Sequence, residues 1–449
     1  ICYVYAGKSQ YNKALEILQE ALAIHREVKD RKGEAKTLRK IGAIRGSDLG
    51  KHAEGIKILQ QALKIQEEIG DEYQGSMTLI NIGLIYYSSK DYPRAIEFLE
   101  KAQVSSRKTN NPLAEVSSLQ LLALVYSDQG NKKGYTEVLE KALVFARKNQ
   151  LRYHQLITLT LFAAIYSKDD SNPIRGRDLA QEAVNLAREI NKRNDEADAL
   201  YWLGNAYIKL RNYQKAEAVL LQAVKIAKEI KDLDRELNSL TSLNSIYTLR
   251  GDSQKVIENH LRRLEIAKKQ DNKWQRYTLL MGLGSVYEAI GKHQQALEAY
   301  QESIALLQQI EISKLLPHQQ KILPQYQVLI LKVISHNYRS LGEYDKALDF
   351  AQQMLKKAES FNNPKLQVQA LLHLASVYDN PFKNLSKAIE LSQKALNIAQ
   401  KNKLLKEEAE VLLDLSGFYN KQRQYDIALE STQKALVVAK KLKNLQLEY

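Results

Sequence analysis

The chain has little of what most enzymes and stapled domains depend on. It holds one cysteine, Cys2, in 449 residues, which excludes an internal disulfide framework and agrees with a reducing, cytoplasmic setting. Cys2 carries no flanking signature of a nucleophile and reads as a small hydrophobe. No apolar run approaches the roughly 20 residues that cross a bilayer. The eight histidines include no H-E-x-x-H or other close metal-ligand pair, and the glycines form no G-x-x-x-x-G-K-[ST] loop. No catalytic, cofactor or metal site is expected, and the chain is read as a non-enzyme. Strand-like alternation is missing as well. With 44% hydrophobic and 26% charged residues the composition is that of a soluble folded protein rather than a disordered one.

What is present is a repeat. Ala21, Ala62, Ala102, Ala142, Ala183, Ala223, Arg263, Ser303, Met354, Ala395 and Ala435 follow one another at steps of 40 or 41 residues, with a single step of 51 before Met354. A fixed period of this kind implies stacked helical hairpins, each touching mainly its neighbours. Gly83, Gly204 and Gly284 in first helices, and Ala14, Ala95, Ala216, Ala296, Ala347, Ala388 and Ala428 in second helices, are small residues that let two backbones approach. Tyr5, Tyr86, Tyr126, Tyr166, Tyr207, Tyr247, Tyr287, Tyr338, Tyr378 and Tyr419 fill one recurring site, broken only by Arg45. A second series, Tyr11, Tyr92, Tyr213, Tyr344 and Tyr425, precedes second helices, so most tyrosines serve packing and few are left as base-stacking platforms. Seven prolines fall at expected joints, and Asp71, Asn111, Asp195, Asp232 and Asn363 offer capping oxygens to first helices.

Two places break the rhythm. Residues 311–324 hold the surplus of the 51-residue step and two prolines, and they read as an irregular linker between an array over 1–310 and another over 325–449. Between Gly42 and Gly55 the turn is longer and glycine replaces alanine, which predicts the least well packed repeat. The chain opens without methionine inside a repeat, and after Lys443 the start of a further helix is expected, so a fragment with truncated end repeats is anticipated. The formal charge of +14 raises a nucleic-acid-binding alternative. Many lysines, however, stand where second helices end, as at Lys228, Lys268, Lys269, Lys440 and Lys441, and there they complement the helix dipole.

Within residues 199–230 the order Leu203-Gly204-x2-Tyr207, then Ala216-x3-Leu220 and Ala223, resembles the tetratricopeptide repeat. The resemblance covers essentially the whole chain and implies an all-α, right-handed superhelix of about ten to eleven hairpins with first helices on the concave side. The period of about 40 is most similar to long arrays of cyanobacterial and other bacterial multidomain proteins, which often precede a caspase-like CHAT peptidase domain. Kinesin light chains and bacterial peptide-pheromone receptors have similar long repeats.

What the resemblance implies about function is a scaffold or sensor that binds a peptide or partner domain in its groove and regulates a neighbouring effector domain. Carried over residue by residue, groove-facing positions fall on Tyr201, Asn205 and Lys209, then on Asn238, Thr241 and Ser245. Asn205 follows Gly204 at the place where family members often carry a backbone-gripping asparagine. A second cluster is Lys332, His336 and Arg339 with Gln369 and His373. Histidines stand there where the family's carboxylate-clamping members have asparagines, so the cluster is expected to take an acidic side chain under histidine control near neutral pH. Lys36, Arg39 and Lys40 form a lesser basic group.

Overall fold

The structure, a computed structural model, describes residues 10–168 and 172–447; Cys2 and Tyr5 lie outside the described residues. The chain divides into two compact units, 1–243 and 244–449. The first begins with α1 (Tyr11–Glu27), α2 (Arg31–Ala43), α3 (His52–Glu68), α4 (Glu72–Ser88) and α5 (Tyr92–Lys108). It continues through α6 (Pro112–Asp128), α7 (Lys132–Lys148), α8 (Arg152–Lys168), α9 (Pro173–Glu189), α10 (Arg193–Lys209) and α11 (Tyr213–Glu229) into α12 (Leu233–Leu249), which contains the division. The second holds α13 (Ser253–Lys269), α14 (Lys273–Ala289), α15 (His293–Gln308), α16 (Pro317–Ser340) and α17 (Tyr344–Ser360). It ends with α18 (Pro364–Asp379), α19 (Leu385–Lys401), α20 (Leu405–Lys421) and α21 (Tyr425–Leu447). Even-numbered helices are the first members of hairpins and odd-numbered helices the second, and the described residues form no strand.

The joints explain why the period is so regular. After α11, Lys231 takes a left-handed φ of 58°, and the Asp232 N–H donates to the Ala227 carbonyl at 2.9 Å. Asp232 Oδ1 then accepts from the Arg235 N–H at 3.0 Å and caps the next helix. Asp71, Asn111 and Asn363 cap in the same way. Asp195 does not: α10 starts at Arg193 after Lys192, which places Asp195 inside the first turn.

Size complementarity holds each hairpin together. A Cβ on Gly204 would lie 2.5 Å from Leu220 Cγ, and one on Gly284 would lie 2.5 Å from Tyr300 Cε1, so the larger residue of the second helix fills what glycine leaves open. Of the periodic alanines, Ala62, Ala102, Ala142, Ala183, Ala223 and Ala395 are fully buried and Ala435 nearly so, whereas Ala21 is half-buried. Ala216 is likewise at 0% exposure. Ala216→Leu should overpack α10 against α11 and cost about 1–3 kcal/mol in denaturant unfolding; an unchanged midpoint would mean that this packing register is wrong. Of the tyrosines, Tyr86, Tyr166, Tyr247 and Tyr338 are buried, whereas the series before second helices lies at their first position, with Tyr344 and Tyr425 exposed.

Three expectations need correction. The stretch from Gly42 to Gly55 is not loosely packed: Gly46 and Gly55 touch through their backbones, Ile44–Asp48 forms a π turn, and Arg45 pairs with Glu54. The glycines admit a close backbone approach that alanine would block. Residues 311–324 are not irregular throughout. After a short 3-10 turn, Pro317 opens α16, whose 24 residues run through Pro324 and exceed the 17 of the neighbouring α17. Gln319 Oε1 accepts from the Leu316 N–H at 3.0 Å and fixes that start, so the surplus residues lengthen a helix at the cost of the one N–H that Pro324 lacks. Finally, α21 continues unbroken to Leu447 instead of giving way to a new helix after Lys443.

Candidate functional site

The lengthened α16 builds a cleft of about 950 Å³ in the second compact unit. Its walls are mainly first helices: Glu288 from α14, Ile322, Tyr326, Leu329, Lys332, Val333, His336 and Arg339 from α16, Leu366, Gln369, Leu372 and His373 from α18, and Glu410 from α20, with Met354 of the second helix α17 beside them. Helical spacing aligns these groups. Ile322, Tyr326, Leu329 and Val333 form one stripe of α16, and Lys332, His336 and Arg339 form another, displaced toward the helix end. The cleft is therefore apolar at one end and cationic at the other. Trp274, Tyr277 and Tyr326 support the apolar end, with ring centroids 5.6–5.9 Å apart.

At the cationic end the charges are unevenly satisfied. Arg339 Nη2 donates to His336 Nδ1 at 3.3 Å, which leaves the proton of a neutral imidazole on Nε2, 3.5 Å from Glu288 Oε1. Glu288 also accepts from the Tyr300 hydroxyl at 2.9 Å. His293 Nδ1 lies 2.8 Å from Asn337 Oδ1, which ties α15 to α16 behind the cleft. Lys332 makes no ion pair and Arg339 pairs with no carboxylate among the described residues, whereas nearby Lys365 holds Glu407 at 3.0 Å. His373 is 8% exposed, and its Nε2 is buried without a partner. Burial, helped by Lys332, Arg339 and His336, pushes its pKa down to about 3. Burial also lowers His336, against the pull of Glu288. His373 therefore stays neutral near neutral pH and does not act there as a charge switch.

All five residues of the second sequence cluster, Lys332, His336, Arg339, Gln369 and His373, line this cleft. Those of the first cluster do not share a pocket with them. Asn205 Nδ2 donates to the Tyr201 carbonyl at 3.1 Å, and its Oδ1 accepts from Ser242 Oγ at 2.9 Å, so the amide ties α10 to α12. Much of its hydrogen-bonding capacity is thereby spent inside the array. Tyr201 packs edge-on to Trp202, with centroids 4.7 Å apart, and Thr241 Oγ1 donates to the Leu237 carbonyl at 2.8 Å. Asn238 is exposed, Lys209 is half-buried, and Ser245 belongs to the second compact unit. Of the basic group on α2, Arg39 donates to Gln74 Oε1 at 3.2 Å, Lys36 is exposed and Lys40 is half-buried.

Many of the cations behind the high net charge are engaged. At the ends of second helices, Arg26 pairs with Glu34 at 2.9 Å, Arg107 with Glu115 at 3.0 Å, Arg188 with Glu196 at 2.7 Å and Lys228 with Glu236 at 3.8 Å. Each carboxylate follows its cation by eight residues, and Glu34, Glu196 and Glu236 are buried. This spacing was visible in the sequence as a recurring basic residue, seven positions, then glutamate. Among the described residues no group of three histidine, cysteine, aspartate or glutamate side chains is placed to hold a metal ion, and no helix is long and apolar enough to cross a membrane.

Consecutive hairpins with this small-residue register define a helical repeat protein, and comparison with known families agrees. The tetratricopeptide repeat matches residues 1–68, 35–103 and 195–269 in one form and 279–311 in another. These matches support a tetratricopeptide repeat array. A further family, anaphase-promoting complex subunit 5, matches residues 79–209 and 333–408. No curated protein matches in sequence. Among solved structures, the apo form of RapI is 11% identical, with a TM-score of 0.53 over 82% of this chain and 98% of its own, a likeness of fold. A signal transduction ATPase with numerous domains from Pyrococcus horikoshii, which carries a tetratricopeptide repeat sensor, is 17% identical over 79% of this chain and 54% of its own, with a TM-score of 0.44.

Proposed function

We propose that this chain is a protein-interaction scaffold that takes up a peptide or partner segment on the faces of its first helices, with the α16 cleft as the principal docking place. The observation that carries this reading is the pairing deficit: Lys332 and Arg339 face a roomy cleft without carboxylate partners in an array that pairs comparable cations again and again. Unpaired charges beside apolar wall residues are what a recognition site keeps for its ligand. Regulation of an adjacent effector domain, as in the long bacterial arrays, fits such a sensor.

The test is a random peptide-display selection on the immobilised chain. The wild type should enrich a defined set of peptides, and a Lys332→Glu, Arg339→Glu variant with an unchanged melting temperature should lose that set. No enrichment by the wild type, or an identical set retained by the variant, would overturn the reading.

A further inference from the structure

The chemistry of the cleft narrows its ligand, on the premise that the scaffold reading above holds. We infer that the α16 cleft selects an extended peptide segment carrying a bulky apolar side chain and an acidic side chain four or five residues apart. The apolar stripe of α16 centres on Tyr326 and the cationic stripe on His336. Ten helical residues separate these centres by about 15 Å. An extended chain advances about 3.3 Å per residue, so four or five residues bridge that distance.

Three observations point to a carboxylate at the cationic end. Lys332 is exposed and unpaired, and Arg339 spends one donor on a neutral imidazole. Glu288, the carboxylate beside them, is already held by Tyr300 and faced by His336. His373, more than nine-tenths buried at the same end, has an unsatisfied Nε2. An orphaned buried nitrogen beside two unpaired cations is the arrangement that a ligand oxygen completes. At the other end Ile322, Tyr326 and Leu329 offer apolar surface, and Leu329 is 42% exposed. Glu410 lines the cleft as well and disfavours a second acidic residue in the segment.

The inference is tested by fluorescence anisotropy on the full chain with synthetic ten-residue peptides carrying one phenylalanine and one glutamate at separations of two to eight. Each peptide has a glutamine-for-glutamate and an alanine-for-phenylalanine counterpart. Separations of four and five should bind at least tenfold more tightly than either counterpart. Lys332→Glu should abolish that preference and restore binding to a peptide with lysine in place of glutamate, and the neutral Lys332→Met should reduce binding without that rescue. Equal binding of glutamate and glutamine peptides, or no dependence on separation, would overturn the inference. If the display selection succeeds while none of these peptides binds, the inference fails and the scaffold reading stands; if both fail, the reading falls with it.

Discussion

Replacing Tyr300 with alanine is expected to lower the unfolding free energy by about 3–5 kcal/mol, among the largest effects of any single change in the second unit. Tyr300 is 1% exposed and fills the space left by Gly284, where a Cβ would come within 2.5 Å of its ring. Truncation leaves a ring-sized void between α14 and α15 that two rigid helices cannot close. It also removes the hydroxyl that donates to Glu288, 2.9 Å away, and so frees a carboxylate at the edge of the cleft. Tyr300→Phe separates the two roles. It keeps the ring, costs on the order of 1 kcal/mol, and should weaken binding of acidic peptides because the released Glu288 competes for Lys332 and Arg339. In a repeat array the damage should be local, so hydrogen exchange is the measurement of choice. Faster exchange confined to α14 and α15 is expected; unchanged exchange there would contradict the packing described.

The second large effect concerns acid. His373 is held neutral in the folded state, with a pKa of about 3 caused first by burial. An unfolded histidine titrates near 6.5, so between pH 6.5 and 3 the unfolded chain binds a proton that the folded chain refuses. Stability is therefore lost as pH falls through that window, at about 1.4 kcal/mol per pH unit, or about 2–3 kcal/mol by pH 4.5. Burial lowers His154, His260 and His336 in the same direction. His373→Gln should make the fall in stability between pH 6.5 and 4.5 shallower by roughly the amount assigned to the one histidine. Equal slopes for variant and wild type in denaturant titrations at several pH values would show that His373 is not the buried neutral group described.

The fold was legible because its determinants repeat. Gly204, Leu220 and Ala223 each recur in register, and close packing leaves few other residues possible at those sites. The cleft was half legible. Lys332, His336, Arg339, Gln369 and His373 follow from their register on first helices; Ile322 does not, since it lies on the extra turns of α16, and Glu288, Tyr326 and Glu410 stand outside the positions which that register singled out. Two prolines disguised that extension as a linker, although Ile322, Tyr326, Leu329 and Val333 already carried helical spacing across Pro324. Asn205 shows another limit of reading by register. Position relative to Gly204 says where a side chain starts, and only the neighbouring helix shows that Ser242 takes its oxygen.

The most direct test of the account is the affinity of a display-selected acidic peptide for the wild type and for the Lys332→Glu, Arg339→Glu variant, measured by titration calorimetry in the same buffer. Hydrogen bonds to charged groups are worth about 1.5–3 kcal/mol each, so losing two and adding repulsion should weaken binding by a hundredfold or more with no change in melting temperature. An affinity altered by less than twofold would place the ligand elsewhere on the array and contradict the assignment of the α16 cleft.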